Sequence, residues 1–314
     1  MKKEYYEIQT DGFYGAYYEN KTPTTKALIL MLGDSIDDMM AKAGVKWSHD
    51  LGFNVMTMAP AKKDYGHHNY PLERFEKAIE VIKKKGNTKI GIAGASTTGM
   101  LALVAASFFN DITLTLAFTP CDFIMEGFYQ DGLDNAKERP GNNESTVSYH
   151  GYALPYLPYA YRHPLYWQKI KEEAKEGKNV IASRKLFDES ERLHPLQENE
   201  MIKVENIKGT LVFVGAEDDV LWDTCKYIHR IEERLLEKSH TSIVYTLVYK
   251  HGTHFIFPES LLKKALPIGS SLLCSFAFKA ARDYKKECKE TRKDIDRRIR
   301  KIIKTWSEED NEEN

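Results

Sequence analysis

The sequence predicts an α/β fold in which a mostly parallel central sheet is flanked by helices and carries an inserted cap. Short apolar runs alternate with amphipathic segments along most of the 314 residues, which is typical of a parallel sheet covered by helices. Runs such as 27–33 and 112–118 contain few polar residues, as expected for strands that are buried on both faces. A stretch between residues 120 and 200 is rich in Pro, Tyr, Gly and Asn and interrupts the alternation.

The first third of the chain supplies most of the predicted strands. Residues 1–20 alternate aromatic and polar side chains, which predicts two edge strands that turn near Asp11-Gly12. Apolar runs predict further strands over 27–33, 53–59, 88–93 and 112–118. Apolar residues at helical spacing predict helices over 36–50, 71–85 and 97–109.

The interruption predicts a cap, after which the alternation resumes. We expect residues 122–200 to form a cap inserted over the sheet of a single domain that spans residues 1–314. The segments that follow predict strands over 210–215 and 242–249, and helices over 223–238 and 259–283. Residues 284–314 are mostly charged, but apolar residues recur at helical spacing, namely Ile295, Ile299, Ile302, Ile303 and Trp306. We expect an amphipathic C-terminal helix that either packs on the body of the protein or forms a homodimer contact.

Composition and charge restrict the possible partners. A net charge of -1 provides no overall field that would attract nucleic acid. The four cysteines show no CxxC spacing, so we expect free thiols in a reducing compartment, without a metal or a cofactor. The first ten residues lack the apolar core of a signal peptide, and no apolar run reaches the ~18 residues of a membrane span. These patterns predict a cytoplasmic protein that acts on a small molecule.

Ser96 is the candidate nucleophile. It lies in the run IGIAGASTTGM between a predicted buried strand and a predicted helix. A serine in a strained strand-to-helix turn needs small neighbours, and Gly94 and Ala95 meet that need on one side. The usual pattern is G-x-S-x-G, whereas here Thr98 takes the last position and Gly99 follows it. The alternative is that Ser96 only caps the helix, because serine is a favoured N-cap residue.

Two later loops contain the other residues that a serine nucleophile requires. A serine hydroxyl needs a base, and the base needs a carboxylate that orients it, in the chain order Ser, acid, His. Glu217-Asp218-Asp219 follows the run TLVFVGA, and His251-Gly-Thr-His254 follows the run IVYTLVYK. Both loops come at the ends of predicted strands, but each contains more than one candidate. The residues alone leave Asp218 and Asp219 open as the acid, and His251 and His254 as the base.

An oxyanion in such a site needs two backbone N–H donors. The residue after the nucleophile, Thr97, supplies one of them. We expect the second from the loop after the strand over 27–33, at Asp34 or Ser35. That loop can also be read as an ordinary strand-to-helix turn with a capping side chain.

The chain resembles the catalytic domain shared by acyl-CoA thioester hydrolases and bile acid-CoA:amino acid N-acyltransferases, which has the α/β-hydrolase fold. The resemblance covers roughly residues 25–280, and four segments carry it: PLERFEKAIEVIKKKGNTKIGIAGASTTGMLAL, YHGYALPYLPY, IKGTLVFVGAEDDVLW and YKHGTHFIFPES. It implies Ser96 as the nucleophile, Asp219 as the acid and His254 as the base. The chain departs from the family at Thr98 and at Phe257-Pro258, where an acidic residue commonly precedes the proline.

This resemblance implies a hydrolase that cleaves acyl-CoA thioesters or carboxylic esters through an acyl-enzyme. Ser96 favours hydrolysis, because the acyltransferase branch of the family resembles a cysteine enzyme. Two alternatives remain, an acyltransferase with an amine or alcohol acceptor and a non-catalytic binding module. The cap tyrosines Tyr152, Tyr156 and Tyr159 either line an apolar acyl pocket or form the cap's own core.

Overall fold

The structure is a computed structural model that describes residues 3–32, 35–60, 67–130, 139–266 and 270–309. Its strands, numbered along the chain, are β1 Lys3–Tyr6, β2 Gly15–Tyr18, β3 Lys26–Met31, β4 Asn54–Met58, β5 Tyr70–Pro71, β6 Lys89–Ala95, β7 Ile112–Phe118, β8 Glu126–Tyr129, β9 Arg139–Ser145, β10 Val147–Tyr149, β11 Tyr152–Ala153, β12 Thr210–Ala216 and β13 Ile243–Tyr249. Its helices are α1 Ile8–Asp11, α2 Met39–Asp50, α3 Glu73–Lys84, α4 Thr97–Phe108, α5 Leu165–Glu176, α6 Arg184–Leu193, α7 Thr224–Glu237, α8 Glu259–Ala265, α9 Ser270–Ala277, α10 Lys279–Asp283 and α11 Lys285–Glu308.

Eight of these strands form the central sheet, in the order β1-β2-β4-β3-β6-β7-β12-β13. The six strands from β4 to β13 in this order pair in parallel, whereas β1 and β2 pair antiparallel at one edge. Parallel strands have their carboxyl ends on one side of the sheet, so the loops after β3, β6, β12 and β13 come out on the same side. The predicted sheet is confirmed, and the candidate catalytic loops all follow parallel strands.

Consecutive side chains of β3 show why the predicted strands are apolar on both faces. Leu28 and Leu30 belong to one hydrophobic cluster, which includes apolar residues of α2, α8 and α11. Ile29 and Met31 belong to the other, which includes apolar residues of α3, α4 and α7. Because side chains alternate between the faces of a sheet, a strand covered by helices on both sides must be apolar at every position.

The C-terminal helix α11 packs on the body of the protein. Its apolar residues Ile295, Ile299, Ile302, Ile303 and Trp306 are buried in the same cluster as Leu28. The Trp306 ring stacks on Phe53 with 5.8 Å between ring centroids, and its Nε1 donates to Thr113 Oγ1 at 3.2 Å. The apolar face that we considered for a homodimer contact is therefore occupied within the chain.

The helix predicted over 259–283 is instead three helices, α8, α9 and α10. Leu266 ends α8 in an extended conformation, with φ -135° and ψ 83°, and it precedes Pro267 in the sequence, which disfavours the helical conformation. Phe278 separates α9 from α10 with φ -128° and ψ 133°. None of the described helices is long and apolar enough to cross a membrane.

The region predicted as a cap contains small sheets and two helices. β8 pairs with β9, and β10 pairs with both β11 and β5. Since β5 precedes α3, this last pairing connects the region to the body of the protein. The start of α6 contacts the loop after β12, where Arg184 forms an ion pair with Asp223 and Ser183 Oγ donates to the carbonyl of Leu221 at 2.7 Å. The region therefore packs directly on the loop that contains the candidate acids.

Candidate active site

Ser96 occupies the sharp turn between β6 and α4. Its backbone has φ 60° and ψ -129°, a conformation that is unfavourable for a residue with a Cβ and that exposes a nucleophile at the end of a strand. Ser96 stands at the N-cap position of α4, but its side chain makes no capping hydrogen bond. A helix-capping role therefore does not account for this serine.

Thr98, the departure from the usual pattern, holds this turn through its hydroxyl group. Its Oγ1 lies 2.6 Å from the carbonyl oxygen of Met31 and 2.8 Å from that of Ala95, and it accepts a hydrogen bond from the Ala95 N–H at 2.9 Å. Glycine is required two residues before Ser96, because a Cβ on Gly94 would lie 2.0 Å from the carbonyl oxygen of Thr98. The turn is thus narrow at Gly94 and is attached to β3 at Thr98.

Asp219 and His254 form a buried pair. The Nδ1 atom of His254 lies 2.8 Å from Oδ2 and 3.0 Å from Oδ1 of Asp219. The side chains are 1% and 0% exposed for His254 and Asp219. A hydrogen bond from Nδ1–H to the carboxylate leaves Nε2 as the basic nitrogen. Within the described residues, Nε2 is buried and has no hydrogen-bond partner.

Two further donors satisfy the carboxylate of Asp219. Thr224, the first residue of α7, donates from Oγ1 to Oδ2 at 2.5 Å, and the Leu221 N–H donates to Oδ1 at 2.9 Å. These hydrogen bonds satisfy the acceptor oxygens of the buried carboxylate and orient it toward the imidazole. The sequence analysis did not identify Thr224, although a hydroxyl residue at the start of a helix after an acidic loop is a recognisable signal.

Trp222 packs against the imidazole of His254, and Thr119 links the Trp222 indole to the backbone of His254. The indole packs edge-on against the imidazole, with 4.6 Å between centroids and 87° between planes. Its Nε1 donates to the carbonyl of Thr119 at 3.1 Å, and the hydroxyl of Thr119 donates to the carbonyl of His254 at 3.3 Å. The sequence analysis missed Thr119, because it follows β7, which contains no candidate catalytic residue.

Asp218 and His251, the alternative acid and base, pair with each other instead. His251 Nδ1 lies 2.9 Å from Asp218 Oδ2, and both side chains are partly exposed. The His251 ring stacks on Tyr284 at 3.9 Å, and its carbonyl accepts a hydrogen bond from Thr291 Oγ1 at 2.8 Å. This second pair therefore contacts the junction of α10 with α11.

A cleft of about 520 Å³ contains both Ser96 and His254. Most of the residues that line it are apolar, and they come from the ends of β3 and β6, from α2, and from the segment that follows His254. The lining comprises Met31, Leu32, Asp38, Met39, Met40, His67, Ala95, Ser96, Thr97, Thr98, Phe128, Gln130, His254, Phe255, Phe257, Leu262, Leu266, Leu273, Cys274, Ala277 and Phe278. Burial lowers the pKa of His67 to about 3, so that imidazole is neutral near pH 7.

The predicted oxyanion donors have different outcomes. Thr97 lines the cleft and begins α4, so its N–H belongs to the first turn, where no intrahelical carbonyl is available. The N–H of Ser35 donates to Oδ2 of Asp38 at 3.2 Å, and Ser35 is not among the described residues that line the cleft. Asp34 lies outside the described residues and stays a prediction. The structure thus places Thr97 at the cleft, where its role stays a prediction, and engages the N–H of Ser35 elsewhere.

The three cap tyrosines predicted to bind substrate do not line this cleft in the described part of the chain. Tyr152 is 78% exposed on the surface. Tyr159 is buried, and its ring lies 5.5 Å from that of Tyr166 and 5.8 Å from that of Phe187. Tyr156 is half-buried and packs on the same cluster as Tyr159. Tyr156 and Tyr159 thus form part of the cap's own packing, which was the alternative that we considered for them.

The cysteine thiols are poor candidates for nucleophiles. Burial is the main cause that raises the pKa of Cys274, and it raises that of Cys225 to about 12. Reactive cysteines require a lowered pKa, because the thiolate is the nucleophile. The described residues contain no group of three His, Cys, Asp or Glu side chains that could hold a metal ion. The raised pKa values of the thiols favour a hydroxyl group, rather than a thiol, as the nucleophile.

Comparison with known proteins identifies a family. Residues 70–260 match the family described as BAAT / Acyl-CoA thioester hydrolase C terminal. No curated protein matches the sequence significantly. Among solved structures, the α/β-hydrolase enzyme MGS-M1 from a Medee basin deep-sea metagenome library is 13% identical, with 98% of each chain covered and a TM-score of 0.53. A candidate dienelactone hydrolase from Klebsiella pneumoniae is 8% identical, with 96% of this chain and 98% of that chain covered and a TM-score of 0.50. The predicted α/β-hydrolase fold is confirmed.

Proposed function

The chain belongs to the BAAT / acyl-CoA thioester hydrolase C-terminal family, and on that basis we propose that it is a serine hydrolase that cleaves acyl thioesters or carboxylic esters. The observation that carries the proposal is the buried pair of Asp219 and His254, which opens on the same cleft as the strained turn of Ser96. A nucleophile, a base and an orienting carboxylate, each following a parallel strand, are the components of acyl transfer through a covalent intermediate.

In the first half of the reaction, Ser96 Oγ attacks the carbonyl carbon of the substrate while Nε2 of His254 takes the hydroxyl proton. Nε2 is available for this role, because Nδ1 is directed at Asp219. The imidazolium that forms is stabilised by the carboxylate, which in turn accepts hydrogen bonds from Thr224 and Leu221. The Thr97 N–H stabilises the negative charge that develops on the carbonyl oxygen.

The first half ends when His254 returns the proton to the departing thiol or alcohol, and the acyl group remains on Ser96 as an ester. In the second half, a water molecule attacks this ester while Nε2 of His254 takes a proton from the water. The proton on Nε2 then passes to Ser96 Oγ as the bond between Oγ and the acyl carbon breaks, which releases the carboxylic acid and restores the Ser96 hydroxyl. The two halves use the same base, so loss of His254 or Ser96 should stop both of them.

The experiment compares wild-type protein with Ser96→Ala on a panel of acyl-CoAs and p-nitrophenyl esters. We expect Ser96→Ala to lose at least about a thousandfold in kcat, because the covalent route is removed. Ser107→Ala is the matched control, since Ser107 lies on the same helix and its hydroxyl bonds to the carbonyl of Val104. Undiminished turnover by Ser96→Ala would exclude this mechanism.

A fluorophosphonate probe separates an enzyme from a binding module. We expect the folded wild-type protein to gain one adduct on the peptide that contains Ser96, and Ser96→Ala to gain none. Product analysis with and without an added amine or alcohol then distinguishes hydrolysis from transfer. Free acid as the main product in both cases supports the hydrolase.

A further inference from the structure

Two neighbouring helices contribute apolar residues to the lining of the cleft. We call this part of the lining the α8–α9 wall and define it by Leu262 and Leu266 from the region of α8 and by Leu273, Cys274 and Ala277 from α9. Its polar group is the Cys274 thiol, whose pKa is raised by burial. Thiols are weak hydrogen-bond donors, so the wall does not suit a sugar or a peptide backbone.

Packing at its C-terminal end holds α9 in position. Phe278, which follows α9, is buried, and its ring lies 5.6 Å from that of Phe255. The carbonyl of Ala277 accepts a hydrogen bond from the Val180 N–H at 2.8 Å. Phe255 directly follows His254, and Phe278 directly follows Ala277, so this ring contact connects the end of the wall to the segment of the candidate base.

Large apolar side chains are left exposed where the wall meets the mouth of the cleft. Leu273 is 53% exposed, Phe255 is 44% exposed, and Met39 on the facing helix α2 is 54% exposed, although all three line the cleft. Burying apolar surface contributes roughly 25 cal/mol for each Å² removed from water. A hydrocarbon chain is therefore the ligand that gains most from this part of the cleft.

We propose that the acyl chain of the substrate is a hydrocarbon that lies along the α8–α9 wall, and that Leu273 and Ala277 determine the chain length that is accepted. The inference rests on the proposed function, since in an acyl thioester the acyl part is the hydrocarbon and the thiol part is polar. Leu273 and Ala277 are four residues apart on α9 and so share one helix face. A larger side chain at Ala277 would shorten the wall, and a smaller one at Leu273 would remove contact with the chain.

The test uses Leu273→Ala and Ala277→Trp, with Phe276→Ala as the matched control. Phe276 lies on the same helix and is 73% exposed, but it does not line the cleft. Two quantities are measured for each protein: the ratio of kcat/KM for p-nitrophenyl decanoate to that for the acetate, and the Kd of decanoate by calorimetry. The second quantity needs no turnover, so it tests the wall even if the protein fails to hydrolyse either ester.

We expect Leu273→Ala to lower the decanoate-to-acetate ratio and to weaken decanoate binding, each about five- to tenfold, and Ala277→Trp to lower both at least about tenfold. Phe276→Ala should match wild type. Because Leu273 is half exposed, its truncation should leave the protein folded even if Ala277→Trp does not fold.

Equal effects of Leu273→Ala and Phe276→Ala would overturn the inference, as would decanoate binding that Leu273→Ala leaves unchanged. A loss of the decanoate preference in Tyr156→Ala instead would place the chain against the cap. If neither ester is hydrolysed but decanoate binding still depends on Leu273, the proposed hydrolase activity is rejected and the α8–α9 wall is retained as the site that binds the hydrocarbon chain.

Discussion

Two Asp–His pairs lie side by side in this protein, and they differ in their surroundings rather than in their own geometry. Asp219 and His254 are almost completely buried, with 2.8 Å between Nδ1 and the carboxylate. Asp218 and His251 are partly exposed, with 2.9 Å between the corresponding atoms. The first pair opens on the cleft with Ser96, whereas the ring of the second stacks on Tyr284.

The comparison teaches that a short Asp–His contact does not by itself identify a catalytic pair. The two pairs differ in the residues that surround them. Trp222 packs against His254, and two hydrogen-bond donors support Asp219. His251 instead contacts the C-terminal helices. The proposed mechanism uses the first pair to move a proton. The other attaches α10 and α11 to the catalytic loops, so it supports the segment that also includes the α8–α9 wall.

The largest expected effect comes from replacing each aspartate in turn by asparagine. Asp219→Asn should lower kcat about ten-thousandfold, because the imidazole loses its preferred tautomer. Asp218→Asn should stay within about threefold of wild type, since an exposed pair contributes little beyond packing. Steady-state kinetics on one activated ester measures both. Similar losses in the two variants would mean that the pairs act as one unit.

His67 is the second histidine that lines the cleft in the described part of the chain, and it tests the effect of burial on protonation. Its pKa is lowered to about 3 by burial, so the folded protein binds fewer protons there than the unfolded chain does. The stability contributed by neutral His67 is present above about pH 6.5 and is lost as the pH falls toward 3, at up to about 1.4 kcal/mol per pH unit.

We expect His67→Gln to make the free energy of unfolding fall less steeply between pH 6.5 and pH 4 than it does in wild type. Urea unfolding at a series of pH values measures the slope. Identical slopes in the two proteins would show that His67 binds protons equally in the folded and unfolded states.

The hydroxyl of Thr224 sharpens the comparison further, because it supports the aspartate of the buried pair. Thr224→Val keeps the shape of the side chain but removes the donor to Asp219. We expect kcat to fall about tenfold with a small change in KM, since a hydrogen bond to a charged group contributes about 1.5–3 kcal/mol. Thr224→Ser retains the donor and should recover most of the activity. No recovery in the serine variant would assign the loss to packing.

The smallest effect is expected at the second pair. His251→Gln removes both the contact with Asp218 and the stacking on Tyr284, so the free energy of unfolding should fall by about 1 kcal/mol. Tyr284→Phe keeps the ring and should match wild type. Denaturant titration followed by far-ultraviolet circular dichroism measures the difference. A large loss of kcat in His251→Gln with unchanged stability would contradict the structural role.

Much of the fold could be predicted from local patterns. The strand over 112–118 has the predicted bounds. The apolar residues of α11 are buried, as expected if this helix packs on the body of the protein. The sheet follows from alternation because burial on both faces demands apolar side chains throughout a strand. The division of 259–283 was not predicted, since the apolar pattern continues across Leu266 and Phe278 and only Pro267 indicates a break.

The candidate site was harder to predict, because its members meet through tertiary packing. Strand ends indicated the two loops, but nothing in Asp218-Asp219 tells which carboxylate is buried. The tyrosines of the cap could not be assigned from sequence, since an aromatic residue packs equally well in a core or in a pocket. Cys274 and Ala277 have no chemical feature that would have indicated their place in the lining of the cleft.

Thr98 has a consequence for how related chains are recognised. Its hydroxyl reaches across to the carbonyl of Met31 on the neighbouring strand, so the turn keeps its serine in the left-handed conformation without a glycine two positions later. A search pattern that insists on that glycine passes over this chain, whereas one that admits a threonine there retains it. The glycine at position 94 is the more restrictive part of the pattern, because no side chain fits where the backbone of Gly94 meets that of Thr98.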